Sequence, residues 1–205
     1  ELLLECSIKG MRLEKNELVL ETEKGNEHRT DLVVVGIGVL PNVELAENAG
    51  LECRDGIVVD GYGRTSQPDI FAAGDCTMHF NGFLDREIRL ESVQNAVDQS
   101  KTVAENLFKE GARYKAVPWF WSDQYDVNIQ LIGIPEGWTE TITRGDKETD
   151  QFILFYLKDG RIDGAAAINS PRDIRFARRL MAAEKVVDPN QLANPNIKLQ
   201  TLLKN

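Results

Sequence analysis

Apolar and polar residues alternate over Glu17–Thr22 (ELVLET), with the polar turn Lys24-Gly25-Asn26-Glu27 behind them, so the chain opens with strand structure. Residues 31–35 (DLVVV) form instead an unbroken apolar run ending in Gly36-Ile37-Gly38. Such a run predicts a strand buried on both faces, as in a parallel sheet. Pro41-Asn42 breaks the pattern, and residues 43–49 read as a short helix closed by Gly50. Residues 56–60 (GIVVD) predict a further strand, turned by Gly61-Tyr62-Gly63. Residues 70–73 (IFAA) predict another, running into Gly74-Asp75.

From Ser92 the period becomes helical. Val93, Ala96, Val97, Ser100, Val103, Ala104, Leu107 and Phe108 fall at i, i+3, i+4, i+7 spacing, with Ser92 placed to cap the start and Gly111 to close the end. Beyond Gly111 the character changes. Trp119, Phe120, Trp121 and Tyr125 cluster, and Val127, Ile129 and Leu131 alternate. Residues 151–157 and Arg161–Ile168 flank Lys158-Asp159-Gly160, a hairpin signal. Pro171 opens a helix with the stripe Ile174, Ala177, Leu180 and Met181, and two short helical pieces follow Asp188-Pro189 and Asn194-Pro195. The boundary falls near residues 113–118, with a partial α/β region before it and a small antiparallel α+β domain after it.

The chain has 205 residues, 42% of them hydrophobic and 28% charged, which is enough to bury a core. Its formal net charge of −9 argues against nucleic-acid binding as a whole-chain property. No apolar run approaches the roughly 18 residues of a membrane span, and no basic-then-apolar leader opens the chain, so no membrane partner is expected. Cys6, Cys53 and Cys76 are widely spaced and form no C-x-x-C pair, which removes support for a disulfide scaffold or a local redox dithiol and makes a reducing cytoplasm the expected location. His28 and His79 stand apart, so no metal site is expected. The opening ELLLE, without an initiator Met, suggests a piece of a longer protein.

Three places carry candidate chemistry. Gly36 and Gly38 follow an apolar run, where glycines let a ligand approach the backbone; an ordinary strand-end turn reads the same way. Residues 64–75 (RTSQPDIFAAGD) place Gly74-Asp75 at the carboxyl end of a strand, where a carboxylate accepts hydrogen bonds from a sugar or polyol hydroxyl, or else caps a turn. The helix opening at Ser92, after Arg89-Leu90-Glu91, presents free N–H groups and a positive dipole end to an anion or a carbonyl oxygen.

The stretches DLVVVGIGVLPN, DGIVVDGYGRTSQPDIFAAGDC, RLESVQNAVDQS and VPWFWSDQYD together resemble the FAD-dependent NADH:ferredoxin reductases of bacterial oxygenase systems, over nearly the whole chain. The resemblance implies the C-terminal part of a flavoprotein with two dinucleotide-binding domains, lacking both glycine-rich fingerprints. Residues 1–41 would be the tail of the NAD(H)-binding domain, 42–114 the C-terminal part of the FAD-binding domain, and 115–205 an α+β interface domain with an antiparallel sheet and helices. It implies electron flow from NAD(P)H through FAD to an iron–sulfur ferredoxin. Rubredoxin or a quinone are alternative acceptors, a homodimer is left open, and the isolated chain is alternatively a non-catalytic docking module.

Residue by residue, the resemblance makes Asp75, after Gly74, the carboxylate that bonds the FAD ribityl chain. It puts the Val93 N–H at the flavin pyrimidine, Trp119 and Trp121 at the flavin edge, and Gly36, Gly38 and Glu91 beside the nicotinamide. For the two tryptophans a plain core role is the other reading. Arg172, Arg175 and Arg179 share one face of the helix after Pro171, with Arg178 beside them and Arg144 and Lys147 in a nearby loop region. They form a candidate landing site for an acidic ferredoxin, or else a solvated face.

Overall fold

The computed structural model describes residues 1–109, 111 and 113–204. They divide into two compact units, Glu1–Leu40 and Pro41–Asn205. In the first, β1 (Ile8–Glu14), β2 (Glu17–Thr22) and β3 (Glu27–Thr30) form an antiparallel meander. The β1–β2 turn runs through Lys15 and Asn16, at φ 46° and 78°, the left-handed pair that a tight two-residue hairpin demands. Residues 31–35 depart from expectation: they form no strand, and Val34 is 86% exposed. A parallel strand of this kind needs a neighbour on each edge and cover on both faces, and no described segment pairs with it.

The second unit begins with α1 (Glu44–Asn48), ended as expected at Gly50, whose N–H reaches the Glu47 carbonyl at 2.9 Å. A three-stranded sheet follows, with β4 (Ile57–Val59) parallel to β5 (Thr77–Asn81) and β6 (Arg86–Ile88) antiparallel to β5. The expected strand at 70–73 is absent; only Phe71 bridges Arg64. Its backbone is used locally, since the Ala72 N–H donates to the Gly63 carbonyl at 3.0 Å and the Ile70 carbonyl accepts from Thr65 N–H at 3.0 Å.

Helix α2 (Val93–Asn106) starts at Ser92, whose Oγ accepts the Asn95 N–H at 3.1 Å. Its packing reverses the sequence expectation. Gln94, Asn95 and Gln99 are buried, whereas Val93, Val97, Leu107 and Phe108 are exposed. Nor does Gly111 end the helix: α2 stops at Asn106, whose Oδ1 accepts the Gly111 N–H at 2.6 Å. The helix lies so close to the turn after β4 that a Cβ on Gly63 would stand 2.1 Å from Val103 Cγ2.

The remainder forms a five-stranded antiparallel sheet ordered β7-β8-β11-β10-β9, from β7 (Trp119–Gln124), β8 (Val127–Gly133), β9 (Glu140–Asp146), β10 (Gln151–Lys158) and β11 (Arg161–Ile168). The β10–β11 hairpin and α3 (Pro171–Ala182) form as the pattern predicts, and Ile174, Ala177, Leu180 and Met181 are buried. They pack on Ile132, Ile153, Phe155, Ala165 and Ala167 from one face of the sheet. Alanines in β11 let the helix sit close to the backbone, which is how a short helix buries most of its stripe. Helices α4 (Pro189–Ala193) and α5 (Leu199–Leu202) complete this core with Leu192, Leu199 and Leu202. Among the described residues no helix is long and apolar enough to cross a membrane.

Arg144 does not belong to a surface patch. It is buried, and Nε bonds Asp173 Oδ2 at 2.9 Å while its remaining nitrogens donate to the carbonyls of Leu192, Asn194, Pro195 and Ile197 at 3.1, 2.6, 3.4 and 2.8 Å. One guanidinium thus satisfies the backbone of the α4–α5 connection, which no sheet partner reaches. Arg144→Met is expected to lower stability by about 3 kcal/mol, because it strands buried acceptors and a carboxylate together. Urea unfolding of the complete protein checks this, and a loss below about 1 kcal/mol, the scale of a surface pair, would contradict it.

Candidate functional site

Residues Gly74-Asp75-Cys76-Thr77 form a tight turn leading into β5, closed by the Thr77 N–H on the Gly74 carbonyl at 3.0 Å. Gly74 sits at φ +89°, and a Cβ there would lie 3.7 Å from Ala96 Cβ of α2. The turn therefore rests directly on the first turns of the helix. Asp75 is at its apex, exposed, and among the described residues no donor bonds its carboxylate. At the helix start, Ser92 satisfies the Asn95 N–H, which leaves the N–H groups of Val93 and Gln94 without intrahelical acceptors.

Beneath the exposed Asp75 and Val93 lies a buried polar layer that the apolar periodicity does not reveal. Gln99 Oε1 accepts the Gly74 N–H at 2.7 Å and lies 3.0 Å from Thr77 Oγ1. Asn95 Nδ2 donates to the Leu90 carbonyl at 3.1 Å, and Asn95 Oδ1 accepts the Tyr114 hydroxyl at 2.8 Å. Burial pushes the Tyr114 phenol up to about 12, so it remains a donor at neutral pH. Its ring meets His79 edge-on, with centroids 5.3 Å apart. A signal for this layer exists in the sequence. The uncharged side chains Asn95, Gln99, Thr102 and Asn106 recur at i, i+4, i+7, i+11, on a helix that carries its charges at Asp98, Lys101 and Glu105.

The tryptophans sit on the α3 side of β7. Trp119 is half-buried at the edge of the core, and Nε1 donates to Gln130 Oε1 at 3.2 Å. Trp121 stacks on it at 4.8 Å and is 42% exposed, so it is not a core residue. Arg178 of α3 places its guanidinium over Trp119 at 5.6 Å and comes within 4.0 Å of Asp98 on α2. Trp119, Arg175 and Arg178 line a cavity of about 290 Å³ over Ile132 and Ile174. Glu91 is paired with Arg89, which also reaches Asp55 at 3.3 Å. Gly36 and Gly38 lie in the exposed tail of the first unit, where a Cβ on either would meet no atom within 4 Å. Among the described residues no group of three His, Cys, Asp or Glu is placed to hold a metal ion.

Two family models cover most of the chain. Residues 1–100 match pyridine nucleotide-disulphide oxidoreductase, and residues 119–203 match the reductase C-terminal domain. The chain belongs to this family of reductases. It is 50% identical over 186 residues to the ferredoxin–NAD(+) reductase component of the anthranilate 1,2-dioxygenase system of Burkholderia cepacia, covering 90% of this chain and 46% of that protein. To putidaredoxin reductase of Pseudomonas putida it is 36% identical over 181 residues, covering 88% of this chain and 43% of that one. Among solved structures, the ferredoxin reductase for the CYP199A2 system of Rhodopseudomonas palustris superposes with a TM-score of 0.89 at 36% identity, over 96% of this chain and 49% of that one. A covalent putidaredoxin reductase–putidaredoxin complex gives 0.87 at 33% identity, over 97% of this chain and 48% of that chain. The chain spans about half the length of the curated relatives it matches.

The residues present fit a flavin of this family. An apical carboxylate without a protein donor suits a polyol, and two free N–H groups at a helix start suit a carbonyl that gains negative charge.

His79 supplies a test of the buried layer. It is 1% exposed, neither ring nitrogen has a hydrogen-bond partner among the described residues, and burial lowers its pKa below the ordinary 6.5. The unfolded chain therefore binds a proton near pH 6 that the folded chain refuses. Stability is then full above about 6.5 and falls as pH drops below it. The difference in urea midpoint between the native protein and His79→Phe should widen in favour of His79→Phe between pH 7.5 and 5.5; a pH-independent difference would contradict this.

Proposed function

We propose that this chain is part of an FAD-dependent oxidoreductase that passes electrons from NAD(P)H through FAD to an iron–sulfur ferredoxin. The observation that carries the reading is the junction of an unpaired Asp75 and the open start of α2, buttressed by one buried amide. When bound, FAD would supply the conversion between a two-electron donor and a one-electron acceptor. Asp75 would accept a hydrogen bond from the ribityl chain. The Val93 N–H and the positive end of α2 would serve the flavin pyrimidine and would favour the reduced, more negative form. Trp119 and Trp121 would cover the flavin edge and hold water away from it. Gly36 and Gly38 would serve the nicotinamide from the NAD(H)-domain tail, and Glu91 is a separate candidate for the same role. Residues 1–41 read as the tail of the NAD(H) domain, 42–114 as the returning part of the FAD domain, and 115–205 as the interface domain. Support comes from the likeness to ferredoxin–NAD(+) reductase components and to a reductase solved with its putidaredoxin.

In the complete protein, Asp75→Ala should weaken FAD binding by about 2–3 kcal/mol, the scale of a charge-assisted hydrogen bond, or roughly 30- to 150-fold in Kd. Titration of the apoprotein with FAD reads this, and an unchanged Kd would remove Asp75 from the site.

The face of α3 offers the acceptor side. Arg172, Arg175 and Arg179 are exposed, opposite the buried Ile174, Ala177 and Met181, on a chain of net charge −9. A local basic stripe on an acidic protein steers an acidic ferredoxin chiefly through encounter rate. Ferredoxin reduction by the complete enzyme should fall with added salt and with Arg175→Glu, while NADH-to-ferricyanide turnover stays level. Equal losses toward both acceptors would sink the docking role.

A further inference from the structure

The turn that carries Asp75 is held at both ends by a single side chain. Its first residue, Gly74, donates its N–H to Gln99 Oε1 at 2.7 Å. Its fourth, Thr77, brings Oγ1 to 3.0 Å from the same oxygen and 2.8 Å from the Gly74 carbonyl, so one hydroxyl proton is shared between two acceptors at the base of the turn. A backbone N–H can only donate, so the atom facing it must be the amide oxygen of Gln99. Gly74, Thr77 and Gln99 are all buried, whereas Asp75 between them is exposed.

An apolar side chain at position 99 would pack in the same place without the desolvation that a buried amide incurs, but it would leave the Gly74 N–H unpaired. Gln99 also stands on α2, six residues beyond Val93. Through one oxygen it therefore sets the apex carboxylate and the helix start in a common frame. We infer that Gln99 is the positioning residue of the cofactor site: it does not touch the ligand but fixes the Asp75 carboxylate relative to the N-terminus of α2, so that a ligand with a polyol stem and a carbonyl head meets both at once.

This rests on the reading of Asp75 and α2 as a flavin site. If Gln99 acts through Asp75, removing Asp75 should remove most of what Gln99 contributes to binding, although it leaves the fold intact. A side chain that served only packing would contribute the same whether or not Asp75 is present.

The test is a double-mutant cycle on the complete apoprotein titrated with FAD, using Gln99→Met, Asp75→Ala and the pair, with amide hydrogen exchange at Gly74 followed in the same apoproteins. Gln99→Met should speed Gly74 exchange and raise the FAD Kd roughly tenfold, and the double variant should bind at least about fivefold better than the product of the two single effects. Multiplicative effects, or an unchanged Kd despite faster Gly74 exchange, would overturn the inference while leaving the Asp75 assignment standing. A Kd unmoved by Asp75→Ala would overturn the site reading itself and the inference with it. Should Gln99→Met fail to fold, Thr77→Val frees the same oxygen from one of its two partners. It should raise Kd about two- to threefold with the same sub-multiplicative pattern against Asp75→Ala, and a multiplicative result there would equally overturn the proposal.

Discussion

One amide oxygen, that of Gln99, receives the Gly74 N–H while lying within hydrogen-bond reach of the Thr77 hydroxyl, and much of the second unit's first half is arranged around that constraint. Thr77 begins β5, so the strand's start is fixed to the helix. The Cys76 carbonyl accepts the Ile57 N–H at 2.8 Å, so β4 is fixed to the same turn. Backbone groups under a helix need partners, and an apolar helix face supplies none. That requirement explains why α2 turns its amides inward and leaves Val93, Val97 and Phe108 outside. Asn95 repeats the device one turn earlier, with the Leu90 carbonyl and the Tyr114 hydroxyl as its partners. The layer is not fully satisfied, since both nitrogens of His79 and Oε1 of Gln94 are buried without partners among the described residues. Such groups concentrate where a structure stores cost near a site.

Where local pattern and burial coincide, the chain is directly legible. The stripe of α3 and the alternation of β10 and β11 face a core built within the same stretch of sequence, so periodicity alone locates them. Residues 31–35 and α2 depart from their patterns for a shared reason: apolar periodicity states which residues seek cover but not whether the described chain supplies it. The Gly74-Asp75 turn follows from its motif, yet its support does not, because Gln99 on a helix with apolar periodicity reads as part of a solvent face. The period-2 pattern of β9 likewise puts Arg144 on the same side as Ile142, toward the core, but a charge there reads as surface until the uncovered carbonyls after α4 are known.

Arg144 and Gln99 solve related problems with different chemistry. The connection between α4 and α5 exposes four carbonyls to the core in irregular geometry, and a planar guanidinium with five donors can reach them all while Asp173 balances its charge. The turn before β5 offers donors instead of acceptors, and a neutral amide suffices. In both cases a single long side chain supplies partners that regular secondary structure leaves missing: for the α4–α5 connection no sheet pairing is at hand, and for the Asp75 turn pairing with β4 begins only at Cys76 and Thr77.

The two halves of the candidate site meet along α2. Its buried amides hold the Asp75 turn, and on another face Gln94 Nε2 donates to Asp98 at 2.8 Å, which in turn approaches Arg178 at 4.0 Å. Arg178 lies over Trp119, the residue bonded through Gln130 into β8. At 4.0 Å and partly exposed, the Asp98–Arg178 pair is too weak and too readily screened to hold α2 against α3 alone. Packing of β7 against α2 adds to it, with the Arg178 guanidinium over Trp119 beside the ion pair. The Asp75 turn and the tryptophan pair are thus both tied to α2, the first through Gln99 and the second through Asp98 and Arg178, on different faces of the same helix.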